Sequence, residues 1–293
     1  MPTKCLLKVL SHFSHTVKTL LTVSMAPKRS RTEAGSSSSG AVRFDKKIFV
    51  SRKAYDHYMI DVEKQKAWIP ERGFDLNMFH PYPRLMGLIS HRQWFKFCEH
   101  PQPAVTTIVR EFYANATARQ DSKSVVRGVE VSYSPTAINK YYELRDIIDD
   151  SYSRSEHDLN PDAILRVIAS PGGQWQFNEN PLLQKMPSKF LNFEMKAWHR
   201  FIGAKLFPTK HFATIDVLYG NLIRAIETFE DTIDVGKIIN KSIHKCMQTT
   251  HYGFYHPSLI TELCRQAGVK WGTNEEMIKP LHIIDRHTIA RFE

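Results

Sequence analysis

Apolar residues recur at the three- and four-residue spacing of an amphipathic helix through most of the chain beyond residue 44. In the first half, the clearest such repeat runs from Val105 to Ala116. The second half is more regular, and its repeats predict four consecutive helices. These lie near residues 190–206, 215–229, 234–247 and 257–263. Helices are therefore predicted to form most of the folded protein.

Capping residues support the same assignment. Four polar side chains of the types that accept hydrogen bonds from a first helical turn precede apolar repeats. They are Ser51, Ser134, Asn160 and Asp234. Proline follows two of them, and its missing N–H costs nothing at the first helical position. These residues predict where four helices begin.

One segment alternates as a strand does. Val125, Arg127, Val129, Val131 and Tyr133 occupy every second position, and this is the only good strand signal in the chain. No repeat of fixed period is present. The predicted fold class is therefore mainly α, an irregular multi-helix globular domain with at most one short β-hairpin.

The first forty residues differ in composition from the rest. Residues 1–40 are predicted to be a disordered, basic, Ser/Gly-rich segment, and 41–293 to be a single folded domain. Residues 1–24 are basic and free of acids, which suits either an organelle transit peptide or an upstream extension with no folded role. The second interpretation is favoured, because arginine is absent before Arg29.

A short basic motif follows. Lys28, Arg29 and Arg31 match a nuclear-import pattern, although a solvated basic tail explains them equally well. The four cysteines are far apart, which suggests reduced thiols. No apolar run approaches the roughly 18–20 residues that a membrane-spanning helix needs. We therefore expect an intracellular, non-membrane protein, with the nucleus as one destination.

Charge is unevenly placed along the chain. The net charge is +10, of which residues 41–293 carry +5. Basic residues occur along and beside the helix predicted around Trp198, with few acids between them. They are Lys185, Lys189, Lys196, His199, Arg200, Lys205, Lys210 and His211. Those that could follow a phosphate backbone are Lys189, Lys196, Arg200, Lys205 and Lys210. A solvated helix face is the alternative interpretation of this stripe.

Several short blocks occur in a distinctive order. They include Pro70–Phe74 (PERGF), Val109–Asn115 (VREFYAN), Val126–Val129 (VRGV), Ala137–Asn139 (AIN) and Asp234–Gly236 (DVG). Further blocks are Phe49–Ser51, Trp198 with Phe201 and Ile202, Pro208-Thr209 with His211, and Gly268-Val269 with Trp271. In this order the blocks resemble a plant family described as putative plant transposon proteins, over most of residues 44–290.

The resemblance implies an origin in a transposable element of the gypsy-type retroelement lineage. It carries over no activity, cofactor or catalytic residue. The blocks themselves consist of packing aromatics and turn-forming Gly and Pro, so we expect them to mark the fold. The preferred hypothesis is a non-enzymatic helical domain that acts by binding nucleic acid or by self-association.

A divergent metal-dependent nuclease or integrase is the alternative hypothesis. It needs three acids converging on metal ions, and Asp146, Asp149 and Asp150 are the nearest candidates. One predicted strand does not supply the sheet that usually carries such acids, so no catalytic, cofactor or metal residue is predicted.

Zinc binding is a weaker option still. His244, Cys246, His251, His256 and Cys264 lack a close Cys-x2-Cys pair. No small-molecule substrate is indicated either.

Overall fold

Helices form most of the structure, a computed structural model that describes residues 44–62, 67–116, 121–248 and 253–290. The predicted N-terminal segment, with its import motif, lies outside the described residues. The helices are α1 (Arg52–His57), α2 (Pro83–Arg92), α3 (Phe95–Cys98), α4 (Thr106–Ala116), α5 (Pro135–Tyr141), α6 (Ser151–Ser155), α7 (Pro161–Ile168), α8 (Phe193–Lys205), α9 (Val217–Glu227), α10 (Val235–Gln248), α11 (Pro257–Gln266) and α12 (Arg286–Ala290). The prediction of a mainly α fold is confirmed.

Shorter helical turns complete the helical part. A π-helical turn, Tyr58–Val62, continues α1. Turns of 3-10 helix occupy Leu76–Phe79, Pro181–Leu183 and Ser188–Phe190. The last of these leads into α8, which is therefore shorter than the predicted helix near 190–206.

Strands are short and occur in antiparallel pairs. They are β1 (Ala104–Val105), β2 (Lys123–Val126), β3 (Val129–Ser132), β4 (Lys185–Pro187), β5 (Thr214–Asp216) and β6 (Met277–Ile278). Strands β2 and β3 form the expected hairpin, whereas β1 pairs with β6 and β4 with β5. These two pairings join distant segments of two or three residues, which carry no alternation long enough to detect.

The hairpin also corrects the predicted strand. Alternation was expected to continue from Val125 to Tyr133, but the chain turns at Arg127 and Gly128, whose φ angles are 52° and 77°. Two consecutive positive φ angles are the signature of the two-residue turn that matches strand twist. Val126 in β2 therefore lies opposite Val129 in β3, so the predicted single strand is two strands of one hairpin.

The predicted caps are all present. Each of the four side chains accepts a hydrogen bond from the backbone N–H three residues later. The oxygen-to-nitrogen distances are 3.1 Å at Ser51, 3.2 Å at Ser134 and 3.0 Å at both Asn160 and Asp234. The polar residues thus begin the helices α1, α5, α7 and α10.

Side chains from the sequence blocks meet in space. Asn115, at the end of α4, is fully buried and donates to the carbonyls of Ile48 (2.7 Å) and Val125 (2.6 Å). Its own oxygen accepts from the Val50 N–H at 3.1 Å. One amide therefore ties α4 to the segment before α1 and to the hairpin, as expected of a residue that marks the fold.

A second pair of blocks meets at the start of α10. Asn139 donates to Asp234 at 2.9 Å and accepts from the Gly236 N–H at 2.8 Å. A Cβ at Gly236 would lie 2.2 Å from the Pro135 carbonyl oxygen, so only glycine permits this approach. The packing of α5 on α10 therefore rests on these three residues.

Aromatic rings fill the core beneath α8. Phe74 stacks on Phe201 with ring centroids 4.3 Å apart, and Phe97 meets Phe201 edge-on. Buried Trp198 donates its indole N–H to Glu227 at 2.7 Å, which links α8 to α9. The core thus fixes one face of α8 and leaves another face for the site described next.

Candidate functional site

A cavity of about 900 Å³ opens beside α8. Its walls come from the extended segment around Pro70, strands β4 and β5, the loop 209–213 and Leu281. Five Lys and Arg residues and one His line it. They are Arg72, Lys185, Lys189, Arg200, Lys210 and His211. Among the described residues that line this cavity, none is Asp or Glu. We call this cavity the cationic cleft.

Helix α8 positions the deepest charge. Arg200 is only 8% exposed, and the carbon of its guanidinium lies 4.3 Å from the centroid of the Phe212 ring. Phe212 can lie this close to the helix because residue 203 is glycine. A Cβ at Gly203 would lie 2.3 Å from the Phe212 ring. Gly203, one turn after Arg200, thus makes room for the aromatic ring that covers the arginine.

The extended segment supplies the second arginine. Arg72 donates from Nε to the His282 carbonyl at 2.5 Å. Its neighbour Glu71 points the other way and accepts from the N–H groups of Ser258 (3.0 Å) and Leu259 (2.8 Å), at the start of α11. Gly73 has no room for a Cβ, which would lie 2.5 Å from the His100 nitrogen. Arg72 is therefore held by fixed neighbours on both sides.

The two arginines repel one another electrostatically. Burial and, to a smaller extent, the charge of Arg72 together lower the pKa of Arg200 to about 10. Burial also lowers the pKa of Arg72, against the attraction of Asp285. Arg200 remains protonated at neutral pH, because a pKa of about 10 is well above 7. The cleft therefore concentrates positive charge where an anion would relieve it.

The predicted basic stripe is only partly brought together. Lys189, Arg200 and Lys210 line the cationic cleft, whereas Lys196 and Lys205 do not. Lys205 is 2% exposed and donates to the Glu99 carbonyl at 3.2 Å. Its ammonium lies 5.7 Å from the ring centroid of Phe97 and 5.5 Å from that of Tyr142. The expectation that Lys205 belongs to an exposed stripe is therefore wrong.

Burial explains the unusual state of Lys205. Desolvation lowers its pKa to about 8, partly opposed by the nearby carboxylates of Glu71 and Glu99. Burial likewise raises the pKa of Glu71. Lys205 thus belongs to the interior on the far side of α8 from the cleft.

The basic residues around Trp198 do not indicate Arg72, because it is far from α8 in the chain. The one available signal was the PERGF block, in which an arginine stands between turn-forming residues. Lys185 and His211, which belong to the basic residues noted around Trp198, complete the cleft from β4 and from the loop 209–213. His199, from the same group, is buried and does not line the cleft.

Two of the three acids considered for nuclease chemistry, Asp149 and Asp150, have structural partners. Asp149 pairs with Arg154, and Asp150 caps α6 through the Ser153 N–H (3.1 Å) and pairs with Lys237 (3.3 Å). In the described part of the chain, no group of three or more His, Cys, Asp or Glu residues is arranged to hold a metal ion.

The residues considered for zinc are dispersed among other contacts. His244 lies 3.3 Å from the Ser122 hydroxyl, and Cys246 contacts the Gly253 carbonyl. Cys264 is fully buried, and His251 lies outside the described residues.

One serine–histidine contact exists in the interior. His256 Nε2 lies 3.0 Å from the Ser242 hydroxyl oxygen, and both residues are buried. Burial lowers the pKa of His256 to about 3. A base with so low a pKa accepts a proton from a hydroxyl poorly, so this contact favours a structural role.

Comparison with known proteins gives one family. Residues 90–270 match the profile of the family described as "Putative plant retrotransposon-related domain". No curated protein and no solved structure matches the chain. Across the residues that the structure describes, no helix is long and apolar enough to cross a membrane. Because the matched region covers more than half of the sequence, the chain belongs to this plant retrotransposon-related family.

Proposed function

We propose that this domain is a non-enzymatic module that binds nucleic acid through the cationic cleft. One observation carries the proposal: five Lys and Arg side chains line a single concavity whose described lining contains no acid. Such a site attracts a polyanion, and neutralising its phosphates releases condensed counterions. The origin of the family in a transposable element agrees with a nucleic-acid ligand.

The alternative, a metal-dependent nuclease, receives less support. Asp149 and Asp150, two of the acids it would use, are engaged in a cap and in ion pairs away from the cleft. Incubating labelled DNA with the protein and Mg²⁺ or Mn²⁺ tests this directly. Cleavage that disappears in D150A would favour the nuclease over the binding module.

The binding proposal is tested with the full chain by fluorescence anisotropy of a labelled single-stranded oligonucleotide at several salt concentrations. In the double variant K189Q/K210Q, two cleft charges are removed. We expect weaker binding and a log-log salt slope that is less steep by about 1.4, because each phosphate contact on a single strand contributes about 0.7.

The matched control is K53Q/K270Q, which removes two exposed lysines that do not line the cleft. Its net charge equals that of the cleft variant. If both double variants weaken binding equally, attraction depends on overall charge and the cleft is not the binding surface. If the wild-type chain shows no binding at low salt, the proposal fails altogether.

The basic motif at Lys28, Arg29 and Arg31 fits the same proposal, because a nuclear-import signal would bring the domain to chromosomal nucleic acid. A fluorescent fusion of the full chain should accumulate in plant nuclei, and the triple alanine variant should spread evenly. Equal distribution of both fusions would remove nuclear import from the proposal.

A further inference from the structure

A second cavity adjoins the cationic cleft. Its volume is about 440 Å³. The two cavities share four wall residues, which are Ile69, Thr209, Lys210 and His211. Lys210 and His211 are both exposed, so they stand on the boundary where a ligand would pass from one cavity to the other.

The lining of the second cavity differs in kind from that of the cleft. Aromatic and apolar residues form most of it, and they include Phe207, Pro208, Leu218, Tyr219 and Tyr255. Two charged residues of opposite sign, Asp216 and Lys245, also line it. The Tyr219 hydroxyl donates to the Phe207 carbonyl at 2.5 Å, and the two rings lie 5.4 Å apart. The tyrosine ring is therefore fixed in place by a hydrogen bond and by ring packing. A flat group that packs against aromatic rings suits this part of the walls.

The volume of the cleft favours single strands over duplexes. A sphere of 900 Å³ is only about 12 Å across, which is about the width of the major groove alone. A whole duplex is wider than its groove, so a cavity of this volume suits a single strand better than a duplex. Arg200, at 8% exposure, lies inside the concavity, where a flexible single strand can place a phosphate.

We infer that the site takes single-stranded nucleic acid, with phosphates in the cationic cleft and one unstacked base in the second cavity. This inference rests on the function proposed above and adds the form of the ligand to it. Single strands are commonly held by a basic groove that follows the backbone and by aromatic surfaces on which bases stack. Here the two components are adjoining cavities that share one wall.

Three probes of equal length, about twelve nucleotides, test the inference on the full chain. They are an oligo-dT strand, an abasic strand with the same phosphates, and a dT·dA duplex. We expect the oligo-dT strand to bind about ten-fold more tightly than the abasic strand, because one base stacked on an aromatic wall contributes an effect of this order. The duplex should also bind less tightly than the oligo-dT strand.

A variant then locates the base. Leu218 lines the second cavity and is 39% exposed, so L218W fills the cavity without adding charge. It should reduce the preference for oligo-dT over the abasic strand to less than two-fold and leave abasic binding unchanged. V167W is the control, since Val167 is 40% exposed and lines neither cavity.

The outcomes separate this inference from the proposed function. If all three probes bind equally and K189Q/K210Q weakens each of them, the base site is wrong and the cleft remains the binding surface. If K189Q/K210Q affects none of them, the proposed function fails first. The ratio of the affinities for oligo-dT and for the abasic strand is measured on the wild-type chain. A ratio near one therefore contradicts the inference even if L218W folds poorly.

Discussion

Two groups of arginines in this domain carry the same charge and do opposite things. Arg92, at the end of α2, donates to the carbonyls of Ala225 (2.7 Å), Ile226 (3.1 Å), Thr228 (2.6 Å) and Asp231 (2.8 Å). It therefore donates to two carbonyls in the last turn of α9 and to two in the segment that follows the helix, where backbone acceptors lack helical partners. The cleft arginines instead face a concavity whose described lining holds no acid.

The difference lies in what surrounds each charge. The pKa of Arg92 is lowered to about 10 by burial, as is that of Arg200. The nearby carboxylates of Asp231 and Glu227 oppose this shift at Arg92, whereas the charge of Arg72 increases it at Arg200. A buried cation that is attracted by its neighbours stabilises the fold. The charges of Arg72 and Arg200 instead line a concavity whose described walls hold no acid, and this favours an anionic ligand.

The strongest test of this contrast is R92M. The substitution removes the guanidinium from four carbonyls in and just after the last turn of α9. Within the described part of the chain, only the Ala225 carbonyl among them keeps another side-chain donor, the Thr228 hydroxyl. We expect the free energy of unfolding to fall by about 3–5 kcal/mol. Urea denaturation measures it. K189M in the cleft is the comparison and should change stability by less than about 0.5 kcal/mol. Equal losses in the two variants would show that the cleft lysine is also structural.

The next test concerns Lys205, the buried cation that faces away from the cleft. Its pKa falls from 10.5 to about 8 on folding. Between pH 8 and 10.5 the unfolded chain therefore holds a proton that the folded chain has lost, so stability rises with pH by about 3 kcal/mol. K205M should lack this rise in denaturation curves taken across the window. Parallel pH profiles for both proteins would contradict the assigned burial.

A smaller effect is expected from G203A. The added Cβ would collide with Phe212, so the ring must leave Arg200, and we expect a loss of about 1–3 kcal/mol together with weaker oligonucleotide binding. G87A on α2 is the matched control, because its Cβ would meet only the Phe229 ring at 3.8 Å. That variant should be neutral or slightly stabilised. Unchanged oligonucleotide binding by G203A would show that the position of Phe212 does not matter for binding in the cleft.

Local signals in the sequence were enough for most of the helical architecture. Capping residues such as Ser134 and Asp234 act within one turn, so the starts of the helices could be read directly. The pairing of Ala104 with Ile278 could not be predicted, because it joins residues far apart in the chain through strands of two residues. The hairpin turn at Arg127 was hidden because alternation continued across it.

The candidate site, like the fold, was predictable only where the signal is local in the sequence. Helix geometry places Lys196 and Arg200 about 40° apart around the axis, but Lys205 about 140° from Arg200. A stripe drawn along the sequence therefore joined two faces of α8, and one of them is interior. The placement of Lys189 and Lys210 at an accessible site could be predicted, because a charged side chain near an exposed loop usually stays in solvent. Arg72 could be assigned to the cleft only once the fold had brought its segment to α8.

The extended segment that holds Arg72 sits outside the region that matches the family, residues 90–270. Glu71 accepts hydrogen bonds from the start of α11, and Phe74 packs on Phe201. Helix α11 and Phe201 lie inside the matched region, whereas Glu71 and Phe74 lie outside it. A fragment trimmed to the family boundaries would lose the partner of the first N–H groups of α11 and uncover an aromatic surface. For this protein the independently folding unit is therefore larger than the stretch by which its kinship is recognised.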